Sequence, residues 1–249
     1  MFVSIKTITD LEEALRLILP PEKLENIQTI FIKPNLGYSA PYPRTSSLES
    51  LKQIISYLKR SKSNLEIQVG EGSASKTSSR ENAENLGVIQ LIQSEQAQFL
   101  DLDSQNFKVI EGIGVPEVII KADLRISVPV VKIDSNSELL LSCAVKNYLG
   151  IPPRSLHSEK EGHLRDSFHR DLHKSVAEVY RKIQCVAPFE IHVVDGTMIL
   201  KGGLGKRGLG KETHWGKGFV GTDAVELDFV LCEKFGLPVP RYLHYLHST

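Results

Sequence analysis

The sequence predicts an α/β protein in which helices flank a mostly parallel sheet. Runs of strand-forming residues alternate with helical patterns through the first 130 residues, and this alternation favours helices packed on a largely parallel sheet. The 249-residue chain has the length of one large domain or two small lobes. We therefore expect a single domain with two α/β lobes, at about residues 1–130 and 131–249, and a cleft at the carboxyl ends of the strands.

The first βαβ unit is the clearest part of this prediction. Residues 28–33 and 65–72 are short runs of strand-forming residues that end in turn chemistry. Between them, Ser46 or Ser47 can cap a helix. The apolar residues of that helix recur at three- and four-residue steps, namely Leu48, Leu51, Ile55 and Leu58.

The remaining elements are predicted from shorter patterns, and we expect five or more strands in the sheet. A second helical stretch follows Thr77 to Ser79 and is interrupted by Gly87. Three more strand candidates follow, with the sequences QFLDL, FKVIEG and ADLRISVPVV. The second half contains an amphipathic helix over 166–186, a buried strand over 191–196 and a helix over 223–235 that Gly236 and Pro238 end.

Two long segments, 150–165 and 200–218, show no clear periodicity. Loops of that length in a compact domain are usually functional or mobile. The second segment interleaves glycines with basic residues, among them Lys206 and Arg207. We interpret it as a lid that closes over an anion, and the alternative is a solvated basic loop.

Charge and cysteine content exclude several classes of protein. Thirty Lys and Arg residues balance thirty Asp and Glu residues, so no overall field attracts nucleic acid or an anionic membrane. The sequence lacks an apolar run long enough to span a membrane and a basic, then apolar, leader, and we expect a cytoplasmic protein. The three cysteines are too few and too far apart for a disulfide framework or for a cysteine-based zinc or iron–sulfur site.

Polar residues at the ends of the first two strands suggest an anion site. Lys33 and Asn35 follow the first strand, and Thr45 and Ser46 add hydroxyl groups at the start of the helix. Glu71 lies between two glycines at the end of the next strand, where it could act as a general base or a metal ligand. The alternatives are a solvated lysine before a proline-bent loop and an exposed acid in a flexible turn.

Lys132 and the pair Lys146-Asn147 stand next to apolar runs in the second half. A buried ammonium group must be paired or deprotonated. The partner would be an anionic ligand, or a carboxylate such as Asp195 or Asp228.

Four histidines lie within seventeen residues, at positions 157, 163, 169 and 173. His169 and His173 have the spacing of one helical turn, which could bring both rings to one metal ion, but packed or surface histidines beside the core are the favoured interpretation. His157 and His163 lie in the loop after Lys146, where an imidazole with a near-neutral pKa could move protons.

Taken in order, these motifs resemble a bacterial and archaeal family known as domain of unknown function 362. The motifs are IFIKPNLG, a helix start at Thr45, VGEGS, ADLRISVPVVK, AVKNYLGIPP, a histidine-bearing segment, HVVDG and VGTDAVELDFV. The resemblance places the following residues on the family's polar motif positions: Lys33, Asn35, Thr45, Glu71, Lys132, Lys146, Asn147, Gly150, Asp195, Asp223 and Asp228.

The resemblance implies no particular reaction. Many relatives carry a ferredoxin-like insertion with two four-iron clusters, and this chain has no cysteine run of that kind. It also has Ile133-Asp134 after Lys132, where relatives more often have Thr-His. A role that depends on that histidine is therefore not carried over.

We expect a cytoplasmic protein that binds a small anionic metabolite in a cleft lined by Lys and Asn, and we favour an enzyme whose reaction the sequence does not indicate. The alternative is a non-catalytic accessory protein, either a metabolite sensor or a docking partner for a separate redox protein. The sequence does not indicate a cofactor, which stays unknown, and we expect no metal site and no nucleic-acid partner. The candidate catalytic residues are Lys146, Glu71, Asp195, His157 and His163. The candidate ligand-binding residues are Lys33, Asn35, Thr45, Ser46, Lys132, Asn147, Asp223, Asp228, Lys206 and Arg207.

Overall fold

A nine-stranded, mostly parallel sheet forms the centre of the described part of the protein. The structure is a computed structural model, and it describes residues 2–5, 10–74, 77–158, 165–203 and 210–247. The strands in these ranges are β1 (Phe2–Ile5), β2 (Thr29–Pro34), β3 (Glu66–Glu71), β4 (Gln98–Asp101), β5 (Phe107–Ile110), β6 (Ile113–Pro116), β7 (Leu124–Val128), β8 (Val130–Ile133), β9 (Leu141–Ser142), β10 (Ile191–Lys201) and β11 (Lys211–Gly221).

Helices cover both faces of this sheet. They are α1 (Leu11–Ile18), α2 (Leu48–Ser61), α3 (Ser79–Asn85), α4 (Val88–Ser94), α5 (Glu117–Lys121), α6 (Arg154–His157), α7 (Leu172–Val186), α8 (Ala224–Phe235) and α9 (Arg241–His247). A 3-10 helix over Val145–Gly150 carries part of the candidate site. None of the helices in the described ranges has the length and apolar character to cross a membrane.

The strand order is β1-β11-β10-β7-β2-β3-β4, with β8 beside β10 and β9 beside β8. The pairs β2·β3, β3·β4, β2·β7, β7·β10 and β8·β10 are parallel, whereas β11 is antiparallel to β10 and β1. The predicted α/β class with a mostly parallel sheet is confirmed. The sheet runs without a break through residue 130, the boundary expected between two lobes, because β7 and β8 both pair with β10.

The two faces of the sheet bury two separate hydrophobic cores. Side chains alternate along each strand, so Phe31 points into one core while Ile30 and Ile32 point into the other. The same alternation separates Val194 from Val193 on β10. One core packs under α1, α2 and α4, and the other under α7, α8 and α9. Burial on both faces explains why the central strands are continuous apolar runs.

Capping residues set several helix ends close to the predicted positions. Ser47 caps α2 by accepting a hydrogen bond from the backbone N–H of Ser50. Gly87, at a φ of 74°, separates α3 from α4. Asp171 caps α7, so this helix begins at Leu172, and residues 166–169 form a 3-10 helix instead of its first turn. Gly236 ends α8 in the left-handed conformation that favours glycine.

Two expectations about the strands are corrected. The sequence FKVIEG does not enter the central sheet: β5 pairs only with β6 in a separate two-stranded sheet. Residues 211–218 are not part of an irregular loop, because they form most of β11 and pair with β10. The polar residues and glycines of this segment show no alternation typical of a strand. Its strand conformation depends on pairing with β10 and β1 rather than on local sequence.

Candidate functional site

Polar side chains from four elements meet at the carboxyl edge of the parallel strands. Lys33 lies near the end of β2, Glu71 ends β3, and Lys132 lies in β8. The 3-10 helix over 145–150 brings Lys146 and Asn147 to the same edge. Strand ends far apart in sequence come together because parallel crossovers return each strand in the same direction.

Lys33 and Glu71 form a buried ion pair. The Lys33 Nζ atom lies 2.7 Å from Glu71 Oε1, and both side chains are almost completely buried. Glu71 also accepts backbone hydrogen bonds from Leu36 N at 3.0 Å and Gly72 N at 2.9 Å. Burial lowers the pKa of Lys33, and the Glu71 carboxylate opposes that shift. These partners compensate both charged groups for the hydration that they lose on burial.

Asn147 joins this ion pair to the neighbouring strands. Its Nδ2 atom donates to Ser127 Oγ at 2.9 Å and to the Lys33 carbonyl at 3.3 Å. Its Oδ1 atom accepts from Lys33 Nζ at 3.5 Å and from Asn35 Nδ2 at 3.4 Å. The amide therefore holds the 3-10 helix against β2 and β7, and Asn35 remains only half-buried at the edge of the network.

Gly150 approaches the ion pair so closely that no side chain fits. A Cβ atom at this position would lie 2.3 Å from Glu71 Oε1 and 2.8 Å from Lys33 Nζ. Both distances are below any real carbon contact. Glycine is therefore required here for packing of the backbone against the ion pair.

Arg165 is a buried residue of this region that sequence reasoning missed. Its guanidinium group donates to the carbonyls of Pro152 at 2.5 Å and Ser73 at 2.8 Å, and it also reaches Gly150 O and Asp103. It thus ties the loop after β3 to the loop after the 3-10 helix. Arg165 lies in a segment without periodicity, and its contacts are distant in sequence, so the sequence carries no signal for this role.

Lys132 and Lys146 differ from Lys33 because no carboxylate pairs with them among the described residues. Lys132 is 8% exposed, and its Nζ atom lies 5.6 Å from the centre of the Tyr38 ring. Lys146 is partly buried, and within the described ranges its ammonium group has no hydrogen-bond partner. Burial lowers the pKa of each lysine to about 8. For Lys132 the charge of Lys146 contributes to this lowering, and the Glu71 carboxylate opposes it.

Thr45 and Ser46 stand at the start of α2, but their hydroxyl groups hold the preceding loop. Ser46 Oγ accepts from Asn35 N at 2.7 Å and donates to Val128 O at 2.6 Å. Thr45 Oγ1 donates to Ala40 O at 2.6 Å. These contacts position Asn35 beside the ion pair.

Asp195 lies at the same edge and is enclosed by hydrogen bonds. Its carboxylate accepts from Tyr42 OH and Ser50 Oγ, both at 2.9 Å, and from Thr197 N at 3.0 Å. Tyr42 also bridges to the backbone of Met198 across the irregularity in β10. Burial raises the pKa of the Tyr42 hydroxyl, which stays protonated as a donor. Tyr42 is a second residue that sequence reasoning missed.

The comparison with protein families supports the resemblance drawn from the motifs. The model described as "Domain of unknown function (DUF362)" matches residues 30–233. The chain belongs to the DUF362 family. No curated protein matches it. Among solved structures, it is similar to the lactate racemase apoprotein from Thermoanaerobacterium thermosaccharolyticum, with 13% sequence identity and a TM-score of 0.45. The match covers 81% of this chain and 50% of that chain, so the DUF362 chain spans half the length of the racemase structure.

Two carboxylates expected at the ligand lie elsewhere in the DUF362 chain. Asp223 is exposed and caps α8 by accepting from the backbone N–H groups of Val225 and Glu226. It follows Gly221, which pairs with the first residues of β10, at the amino edge of the parallel strands. The expectation that Asp223 joins the lysines at one edge is therefore corrected.

Asp228 is fully buried and holds the backbone that precedes Lys146. Its carboxylate accepts from Ala144 N at 2.8 Å, Val145 N at 3.1 Å and Tyr242 OH at 3.0 Å. Burial raises its pKa to about 7, and the three hydrogen bonds oppose that shift. Asp228 fixes the backbone just before Lys146, and among the described residues its hydrogen-bond partners do not include that lysine.

His157 does not have the near-neutral pKa expected of a proton carrier. The ring packs against Phe168 with centroids 4.5 Å apart, and its Nε2 atom accepts from Gly114 N at 3.4 Å. Burial and the charge of Arg165 lower its pKa to about 4. The ring is neutral at pH 7 and packs beside β6. His163, Lys206 and Arg207 lie outside the described residues.

The remaining histidines show no metal centre in the described ranges. His169 ends the 3-10 helix over 166–169 and is exposed, whereas His173 lies in α7, is buried and accepts from Tyr242 N at 3.3 Å. Within those ranges no group of three or more His, Cys, Asp or Glu side chains could hold a metal ion.

Proposed function

We propose that this DUF362 chain binds a small anionic metabolite at the carboxyl edge of the central sheet and acts on it as an enzyme, with Lys132 and Lys146 as the cations that contact the ligand. The observation that carries the proposal is that the buried Lys132 and the partly buried Lys146 form no ion pair with a carboxylate among the described residues.

Lys33 provides the internal comparison. The fold gives the Lys33 ammonium group a carboxylate at 2.7 Å, and this group also donates to Pro34 O at 3.1 Å and to Asn147 Oδ1 at 3.5 Å. An unpaired buried charge is costly, so a purely structural lysine is expected to have such partners. Lys132 and Lys146 have no such partner among the described residues, and the charge of Lys146 lowers the pKa of Lys132. An anion of one or two negative charges at this edge would relieve that repulsion.

The other residues of the edge have supporting roles in this proposal. Lys33, Glu71 and Asn147 form a base under the ligand, because hydrogen bonds join them to one another and to the surrounding backbone. The half-buried amide of Asn35 can donate to the ligand at the rim. Leu200 of β10 pairs with Lys132 in register. The predicted lid, with Lys206 and Arg207, lies outside the described residues and stays a prediction.

Native mass spectrometry of the gently purified protein tests this function. We expect a mass above that of the bare chain, which returns to the chain mass on denaturation and releases an anionic metabolite. Lys132→Met and Lys146→Met should lose the retained mass, whereas Lys108→Met, on the exposed face of β5, should keep it. A bare chain after incubation with a cytoplasmic metabolite extract would contradict the proposal. If that bare chain also held a redox protein, the result would favour the accessory role.

A further inference from the structure

The helix α8 carries apolar side chains on its outward face as well as on its inner face. Leu227 and Leu231 are fully buried in the core, whereas Val225, Phe229 and Val230 are only half-buried. A helix that is apolar on all sides is normally covered on all sides. The described residues cover the outward face of α8 only in part, so this face is open to a further partner.

The outward face of α8 lines a groove of about 510 Å³, which we call the α8 groove. Leu237 and Val239, from the segment after α8, and His247, at the end of α9, also line it. Its lining residues extend along α8 from Asp223 to Glu233, a length of about 15 Å at the rise of an α-helix. A groove of this length fits a short segment of protein chain better than a compact metabolite.

Three carboxylates line the α8 groove, those of Asp223, Glu226 and Glu233, and no lysine or arginine side chain joins them among the described residues. Glu226 and Glu233 are exposed and lie seven residues apart, a spacing that places them on the same side of the helix. Their negative charges therefore run along the half-buried apolar side chains. Charge complementarity favours an occupant that carries positive charge beside apolar side chains.

A second groove, of about 340 Å³, provides the internal comparison. It lies between α1 and α2, and its lining side chains are all polar and include both signs of charge: Glu12, Glu49, Lys52, Gln53, Ser56 and Arg60. Such a lining is ordinary solvated surface. The α8 groove differs in both respects, because its walls are largely apolar and its charges have one sign.

We propose that the α8 groove binds an amphipathic helix of a partner protein, whose apolar side chains fill the groove and whose Lys or Arg side chains meet Glu226 and Glu233. A helix that lays its apolar face into an apolar groove is an established mode of recognition. Two copies of this chain joined through the same face would bring their carboxylates together, and the repulsion opposes that contact. The proposal does not depend on the anion site at the carboxyl edge of the sheet.

Binding of a synthetic peptide to the full chain tests the proposal. The probe is a fluorescent helical peptide of about 14 residues, long enough to follow the groove, with leucine on one face and lysine on the other. The control peptide has glutamate in place of every lysine. Fluorescence anisotropy should show that the lysine peptide binds about tenfold more tightly than the control, and that added salt reduces this difference. A photoreactive group at the centre of the lysine peptide should crosslink to α8 or to residues 237–239.

Three variants locate the binding. Glu233→Lys should weaken binding of the lysine peptide about tenfold, because an attraction becomes a repulsion, and Val230→Ser should weaken it by removing apolar surface. Glu49→Lys is the matched control, since Glu49 is an exposed acid of the polar groove, and it should bind like the wild type. Thermal melts confirm that each variant is folded.

Equal affinity for the two peptides, equal affinity in Glu233→Lys and the wild type, or crosslinks away from α8 would overturn the proposal. Light scattering of the chain alone tests the rival occupant. A dimer that Val230→Ser dissolves would make a second copy the occupant and would overturn the partner helix.

Discussion

The ammonium group of Lys33 lies 2.7 Å from the carboxylate of Glu71, and both side chains are shielded from solvent. These residues end two adjacent parallel strands, so the ion pair fixes the carboxyl edge of the sheet. Breaking it leaves an uncompensated charge in the interior.

Glu71→Gln should lower the free energy of unfolding by about 3–5 kcal/mol, because it removes one partner of a buried ion pair. Urea denaturation measures the change. Lys121→Met is the matched control, since its ion pair with Glu117 is exposed and no measurable change is expected. Equal stability losses in the two variants would contradict the structural role of the buried pair.

Gly150→Ala should destabilise the protein by about 1–3 kcal/mol, because the added methyl group overlaps Glu71 and Lys33. Chemical denaturation measures this cost in the wild type and again in a Glu71→Ala background. The smaller side chain removes the atom that the methyl group meets, so the cost should fall in that background. An unchanged cost would mean that the methyl group is excluded by something other than the ion pair.

Asp228→Asn should change how stability depends on pH. The pKa of Asp228 is raised to about 7 from 3.8, so the folded protein binds its proton more tightly than the unfolded chain. The stability from this group is fully present below about pH 4 and is lost as pH rises to about 7. Denaturation at a series of pH values should show the advantage of the wild type over Asp228→Asn shrinking across that window. If the stability advantage of the wild type grew with pH instead, the pKa of Asp228 would be lowered rather than raised by folding.

His157 should remain neutral throughout the physiological range. Burial lowers its pKa to about 4, so its ring resonances in an NMR titration should not move between about pH 6 and 8. Assignment by comparison with His157→Phe identifies the signal. A midpoint near the ordinary histidine pKa, about 6.5, would restore His157 as a candidate proton carrier.

The sequence predicted the fold where local pattern and tertiary environment agree. The apolar runs before Lys33 and Glu71 became β2 and β3, because strands buried on both faces need such residues. The strand β11 was missed because its glycines and charged residues show no alternation, and its conformation depends on pairing with β10 and β1. The pairing register between strands that are distant in sequence cannot be predicted from local composition.

The candidate site was predictable to the extent that it lies at strand ends. Lys33, Lys132 and Lys146 follow apolar runs, and the α/β rule brings such residues to one edge. The pairing of Lys33 with Glu71 and the bridging by Arg165 depend on side-chain directions in the folded chain. Asp228 was expected at the ligand or as the partner of a lysine, but it accepts from the backbone of Ala144 and Val145 and from the Tyr242 hydroxyl, which no sequence pattern indicates.

The affinity of Lys132 and Lys146 for a small anion is the central claim. Calorimetric titration with sulfate, whose charge is constant over the range, measures it directly. Because both lysines have a pKa of about 8, binding should be tight below that pH and weaken as pH rises through it and the amines lose their charge. Lys132→Met and Lys146→Met should each weaken binding about tenfold at pH 7, as expected for the loss of one charged contact, and Lys108→Met should have no effect. Equal sulfate affinity in the wild type and all three variants, or an affinity that does not change across pH 8, would contradict the account.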